Sequence, residues 1–139
     1  MYLDTSVLVK LYTREPDSAE CEQVVAEHKI VSSELVYAEL WSALLAKERT
    51  GKLSPDARQR VWEIFEMHLL DDVIELIELD GLVVREAAET MARVHPHVPL
   101  RTLDALHLAT FVGIDAGPLF TKDKRMLEAA RRLNLPLAE

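Results

Sequence analysis

Short apolar runs alternate with longer segments of 3.6-residue periodicity, and their order predicts an α/β fold. Met1 to Asp4 reads as a brief strand, after which Thr5 or Ser6 caps a helix to about Arg14. Pro16 and Asp17 open a second helix to about His28, with Val24 and Val25 on its buried side, and Lys29 to Ser32 is a short strand. Ser33 starts a long helix to about Thr50, stopped by Gly51. Pro55 sits where a helix-starting proline belongs, and Val61, Ile64, Phe65, His68 and Leu69 recur at helical spacing. Val73 to Leu79 has strand character, Gly81 to Val94 is helical, and His95-Pro96-His97-Val98-Pro99 is a proline-marked loop. Thr102 caps the next helix, which ends near Gly113. Leu119 to Thr121 is a strand, Lys124 to Leu133 a closing helix, and Leu135 to Leu137 adds an edge strand. Strands separated by helical crossovers imply a mostly parallel sheet covered on both faces. Ligands of such folds bind beyond the carboxyl ends of the strands.

Four carboxylates break this pattern. Asp4 ends the apolar opening, and Asp123 follows Pro118-Leu119-Phe120-Thr121-Lys122. Glu39 lies within Leu35-Val36-Tyr37-Ala38-Glu39-Leu40-Trp41, and Asp104 within Leu100-Arg101-Thr102-Leu103-Asp104-Ala105-Leu106-His107. Asp4 and Asp123 fall at predicted strand ends. Asp104 falls in the first turn of a helix, where the positive end of the helix dipole favours an anion. Glu39 shares a helix face with Leu35, Ser42 and Ala43. A buried charge is costly unless paired or metal-bound. Four like charges brought together are tolerable around a hard divalent cation such as Mg²⁺ or Mn²⁺, and that combination supports phosphoryl chemistry. Each residue alone has a simpler reading: Asp4 and Asp123 as helix caps, Glu39 as a surface residue.

At 139 residues the chain is expected to be one domain. No apolar run approaches the roughly 18 residues of a membrane span, and Asp4 and Lys10 interrupt any signal-like stretch, so a cytoplasmic location is expected. The single cysteine, Cys21, excludes an internal disulfide and a thiolate zinc cluster. The net charge of −8 resides between Glu63 and Glu89, where nine acids face Arg85 alone; from Lys122 to Arg132 five bases face two acids. Overall acidity argues against tight nonspecific binding to duplex DNA. A nucleic-acid substrate reached through a metal and a local basic rim stays open.

Met1-Tyr2-Leu3-Asp4-Thr5-Ser6-Val7-Leu8-Val9-Lys10, Ser33 followed by Glu39, Leu100 to Ala109, and Phe120-Thr121-Lys122-Asp123-Lys124 resemble, in order and over nearly the whole chain, the blocks of PIN-domain ribonucleases. The nearest resemblance is to the VapC toxins of bacterial toxin–antitoxin pairs. It implies a three-layer PIN-like α/β fold with a central, mostly parallel sheet flanked by helices, occupying residues 1–139 as one domain. It also implies a Mg²⁺-dependent endoribonuclease, for which Mn²⁺ is a plausible substitute. The implied acidic quartet is Asp4, Glu39, Asp104 and Asp123. Asp4 and Asp104 would be the direct metal ligands, Glu39 and Asp123 would complete the shell or hold water, and Ser6 and Thr121 would line the pocket. The implied partners are RNA, a small VapB-like antitoxin whose arginine enters the carboxylate pocket, and a second copy in a homodimer.

Other signals carry less. Asp104 and His107 share a helix face, but His107 reads first as packed or bonded beside the site. His95 and His97 read as exposed loop, and Glu34 as a helix-capping acid rather than a rival to Glu39. Trp41, Trp62 and Phe65 read as core or dimer contacts before base-stacking platforms. The long helix is apolar around much of its circumference through Leu35, Val36, Leu40, Trp41, Leu44 and Leu45, which supports the dimer. A non-catalytic PIN-like binding module is the alternative from another class. A phosphoacceptor receiver domain fits less well, because Asp4 lacks an acidic neighbour, and Ser6 stands where a dehalogenase-type phosphatase needs aspartate.

Overall fold

The computed structural model describes residues 1–138. Four parallel strands, β1 (Tyr2–Leu3), β2 (Ile30–Ser33), β3 (Ile74–Ile77) and β4 (Leu119–Phe120), form a sheet of order β3-β2-β1-β4. Its register pairs Tyr2 with Val31 and Leu119, and Ile30 with Ile74. The helices are α1 (Thr5–Tyr12), α2 (Ser18–Val25), α3 (Leu35–Arg49), α4 (Pro55–Leu70), α5 (Gly81–Val94), α6 (Thr102–Val112) and α7 (Lys124–Arg132). The predicted edge strand over Leu135 to Leu137 is one parallel bridge, Leu119 to Leu137.

The pleat divides the core into two layers. Leu3, Ile74 and Phe120 pack on one face with Val7 and Leu8 of α1, Cys21 of α2, Leu40 of α3 and Phe65 of α4. Tyr2, Val31 and Leu119 point the other way, onto Val94 of α5, Leu108 of α6 and Met126 of α7. Successive strand residues thus feed opposite faces, as a period of two requires, and the three-layer α/β arrangement follows.

Several predicted helix starts are corrected. Asp4, not Thr5 or Ser6, caps α1: its side chain accepts from the Val7 amide. Its β-region backbone and short carboxylate suit that position. At α6 the cap position is Arg101, with no side-chain cap bond, and Thr102 is already helical. Ser33 ends β2 rather than starting α3; Glu34 occupies the cap position but does not cap. Its Oε2 instead accepts from the Leu79 amide at 3.2 Å, tying α3 to the segment after β3. Ser54 caps α4, with Pro55 in its first turn, as proline's fixed φ favours. Gly51, at φ 73°, takes the left-handed turn beyond α3 that a side chain would strain.

One apolar side of α3 is covered within the chain, by α4. Trp41 meets Trp62 of α4 at 4.7 Å between ring centroids, with the Arg58 guanidinium 4.8 Å from the Trp41 ring, and Tyr37 meets Trp62 at 4.9 Å. Large apolar side chains are exposed at Tyr37 of α3, at Ile64, Met67, Leu70 and Val73 on and just beyond α4, at Leu82 and Val84 of α5, and at Leu103 and Val112 of α6. His95 and His97 are exposed, as the loop reading anticipates. Among the described residues, no helix is long and apolar enough to cross a membrane.

Candidate active site

The chain runs from β1 to β2 and β3 on one side of β1, and β4 pairs on the other. The C-terminal ends of β1 and β4 therefore flank a topological switch point, where open α/β sheets form a ligand crevice. Asp4 leaves β1 there, and Asp123 lies three residues past β4 at the start of α7. Both cap helices, so the simpler reading of each is also true. Asp123 Oδ1 accepts from the Arg125 and Met126 amides at 2.7 and 3.1 Å. Capping leaves a second carboxylate oxygen on each residue.

Hydroxyls knit the two ends together. Thr121 Oγ1 donates to Asp4 Oδ2 at 2.9 Å and accepts from the Asp123 amide at 3.0 Å. Ser6 Oγ donates to Asp4 Oδ1 at 2.7 Å and accepts from the Lys122 amide at 2.9 Å. Ser6 and Thr121 thus line the site as expected, and hold Asp4 rather than standing free. Asp4 is only 3% exposed. Burial raises its pKa despite the bonds from Ser6, Thr121 and Val7.

Asp104, in the first turn of α6, is raised by burial and then by the charge of Asp123. Its Oδ2 is buried without a hydrogen-bond partner. The nearest cation is Arg125 of α7, whose Nε lies 3.8 Å from Asp104 Oδ2 and whose Nη2 lies 3.6 Å from Asp123 Oδ2. Arg125 Nε is itself buried and unpartnered. Two opposite charges stand close here without a hydrogen bond to join them.

Glu39 reaches the site from α3 and is held from two sides. Its Oε2 accepts from Thr5 Oγ1 and lies 2.8 Å from His107 Nε2. Burial alone would raise its pKa; the bonds from His107 and Thr5 outweigh that and lower it. Beyond the carboxylates lie two open grooves that meet at Thr5. One, of about 530 Å³, is mainly apolar and lined by Leu35, Ala38, Glu39 and Leu103. The other, of about 480 Å³, is lined by Ser6, Lys10, Lys122 and Asp123. Lys10 is paired to Glu15 and Asp17, each at 2.8 Å, and Lys122 to Glu20 at 2.6 Å.

The structure therefore joins Asp4, Asp104 and Asp123 at one crevice, with Glu39 linked to it through Thr5 and His107. As the side chains stand, no group of three or more His, Cys, Asp or Glu residues among the described residues is arranged as a metal shell. The donor chemistry nonetheless fits a hard divalent ion. The donors are carboxylate oxygens, two of the carboxyls are destabilised by burial, and one buried oxygen lacks any partner. Sequence reasoning missed Arg125, Thr5 and Tyr2 as members of the site. Arg125 is two residues past Asp123 in a basic stretch, and Tyr2 precedes Asp4 by the two residues that put strand side chains on one face.

A family model for the PIN domain matches residues 1–132. The chain is 38% identical over 138 residues to Ribonuclease VapC46 of Mycobacterium tuberculosis, covering 97% of this chain and 93% of that protein. The chain belongs to the VapC family of PIN-domain proteins. Two solved structures share the fold. VapC20 of Mycobacterium tuberculosis, described as a Sarcin-Ricin loop cleaving toxin, aligns with a TM-score of 0.71 at 19% identity, over 92% of this chain and 93% of the other. VapBC2 from Rickettsia felis, bound to a DNA fragment from its promoter, aligns with a TM-score of 0.70 at 19% identity, over 98% and 95%.

Proposed function

We propose that this VapC-family chain is a divalent-metal-dependent endoribonuclease, the toxin of a toxin–antitoxin pair, acting as one domain. The observation that carries it is the convergence of Asp4, Asp104 and Asp123 at the sheet's switch point, with the buried Oδ2 of Asp104 unpartnered. Asp4 and Asp104 would hold the ion directly, Glu39 and Asp123 would complete its surroundings or hold water, and Mg²⁺ is the expected ion, with Mn²⁺ a substitute. When bound, such an ion lowers the pKa of water and neutralises charge on a phosphate.

The chain's own residues do the rest. Ser6 and Thr121 fix the Asp4 carboxylate, so that it need not reorganise when a cation arrives. Lys10 and Lys122 border the polar groove, where their charges favour an RNA backbone; their present partners, Glu15, Asp17 and Glu20, would be exchanged for phosphates. Arg125 lies beside Asp104 and Asp123, so the carboxylates accommodate a guanidinium, which supports an antitoxin of VapB type that silences the site with an arginine side chain. The exposed apolar stripe of Ile64, Met67, Leu70 and Val73 supports a homodimer through α4.

Purified protein incubated with single-stranded and structured RNAs, with Mg²⁺ or with chelator, tests the activity. Cleavage that requires the ion and is lost in Asp104→Asn is expected. One observation favours a non-catalytic binding module, namely that no ready metal shell is arranged. RNA binding without cleavage at saturating Mg²⁺ and Mn²⁺ would establish that reading instead.

A further inference from the structure

A line of hydrogen bonds runs from the sheet interior to the site. The Tyr2 hydroxyl lies 2.8 Å from His107 Nδ1, and His107 Nε2 lies 2.8 Å from Glu39 Oε2. Tyr2 is fully buried and His107 is 2% exposed. The line spans three elements that carry site carboxylates: β1 bears Tyr2 and leads to Asp4, α6 bears Asp104 and His107, and α3 bears Glu39.

The direction of each bond follows from Glu39. Glu39, when ionised, can only accept, so His107 donates to it from Nε2. A neutral imidazole with its hydrogen on Nε2 has a bare Nδ1, which accepts from the Tyr2 hydroxyl. The opposite tautomer would set the bare Nε2 lone pair against the carboxylate.

We infer that Tyr2 and His107 form a positioning relay that fixes the orientation of Glu39 toward the reacting centre. His107 does not hold the ion in this arrangement, because both its nitrogens are engaged. His107 donates to one oxygen of Glu39, Thr5 donates to the same oxygen, and the Tyr2 hydroxyl, donating to Nδ1, holds the imidazole in that tautomer. Among the described residues the other oxygen makes no hydrogen bond, so it stays available to the reacting centre. The relay's role in cleavage rests on the ribonuclease function proposed above, whereas its hydrogen-bond direction does not.

The test has three arms on the full chain. Ring nitrogen–proton correlation spectra of ¹⁵N-histidine-labelled protein, with the His107→Gln variant identifying the signal, should show hydrogen on Nε2 and an acceptor Nδ1. Hydrogen on Nδ1 alone would overturn the relay. In RNA cleavage at saturating Mg²⁺, His107→Leu should lower kcat roughly 10- to 100-fold with KM within about twofold. His107→Gln, whose side-chain amide can still donate to Glu39, should recover most of that loss. Equal loss in Gln and Leu variants would overturn the relay, since a merely space-filling histidine gives no advantage to the donor. Tyr2→Phe keeps the buried ring and removes only the hydroxyl; it should lower kcat in the same direction, and it carries this arm if His107→Leu does not fold. Mn²⁺ titration followed by electron paramagnetic resonance should show weaker binding in Leu than in Gln, and indistinguishable affinities would count against the relay. Should the wild type cleave no RNA, the ribonuclease function fails, and the spectra and Mn²⁺ affinities still decide the relay.

Discussion

Replacing Asp104 by asparagine should make the protein more stable while destroying its activity. The wild-type carboxylate has a buried Oδ2 with no hydrogen-bond partner and the like charge of Asp123 nearby. A buried unsatisfied polar atom costs about 1–3 kcal/mol, more when charged. Against this stands the attraction of Arg125 at 3.8 Å. At an effective dielectric of about 20 its gross Coulomb energy is roughly 4 kcal/mol. Arg125 is a third exposed and makes no hydrogen bond to Asp104, so the net contribution falls below about 1 kcal/mol. Removing the charge should therefore stabilise the metal-free protein by about 1 kcal/mol, or roughly 3–5 °C in Tm for a chain of this size. The pH dependence has a definite sign. Asp104 is raised above its unfolded value, so between the two values the folded state holds more protons. Stability then falls as pH rises through that window and stays at the lower level at neutral pH. The variant's advantage should vanish in acid and be complete at neutrality. Thermal unfolding in chelator from acid to neutral pH, with RNA cleavage measured in parallel, checks this, and cleavage should drop more than about 100-fold, beyond the loss of a supporting residue. A variant less stable than wild type at neutral pH, or one that still cleaves, would refute the reasoning.

Arg125→Gln should tighten Mn²⁺ binding several-fold in calorimetry, because the guanidinium that lies 3.8 Å from Asp104 and 3.6 Å from Asp123 is removed; unchanged affinity would mean that Arg125 does not compete. An arginine-bearing peptide should bind at the carboxylates and be displaced by Mg²⁺ at constant ionic strength, and affinity flat across that titration would place the peptide elsewhere. Phe65→Ala, which empties a fully buried site under Tyr12, Tyr37 and Trp62, should cost about 3–5 kcal/mol in denaturant unfolding. Sedimentation at micromolar concentration should give about twice the 15.8 kDa of one chain, and Met67→Glu with Leu70→Glu should return it to the monomer.

What the sequence alone determined was the order of elements, and it singled out the four acids as candidates. Alternating apolar runs and helical periodicity follow from which faces are buried, and burial here is strongly patterned: Gly81–Val94 is helical over the predicted residues. Helix starts were less legible, because Thr5, Ser6 and Asp4 all suit a cap, and the choice among them depends on where β1 ends. Glu34 carried the local signal of a capping acid, yet a backbone amide 45 residues away captured its side chain. The apolar circumference of α3 pointed to a partner, but sequence periodicity does not say which helix covers a face; α4 of the same chain covers one through Trp62, while Leu35, Ala38 and Ala43 line an open groove. The site shows the same division. Asp4, Glu39, Asp104 and Asp123 stood out because carboxylates in apolar surroundings are costly. That Thr121 binds Asp4, that Arg125 lies between Asp104 and Asp123, and that Tyr2 and His107 reach Glu39 depend on contacts between residues up to 117 apart in the chain. Those contacts arise only when the parallel sheet brings β1 beside β4 and packs α6 on its face, so only the tertiary structure could decide them.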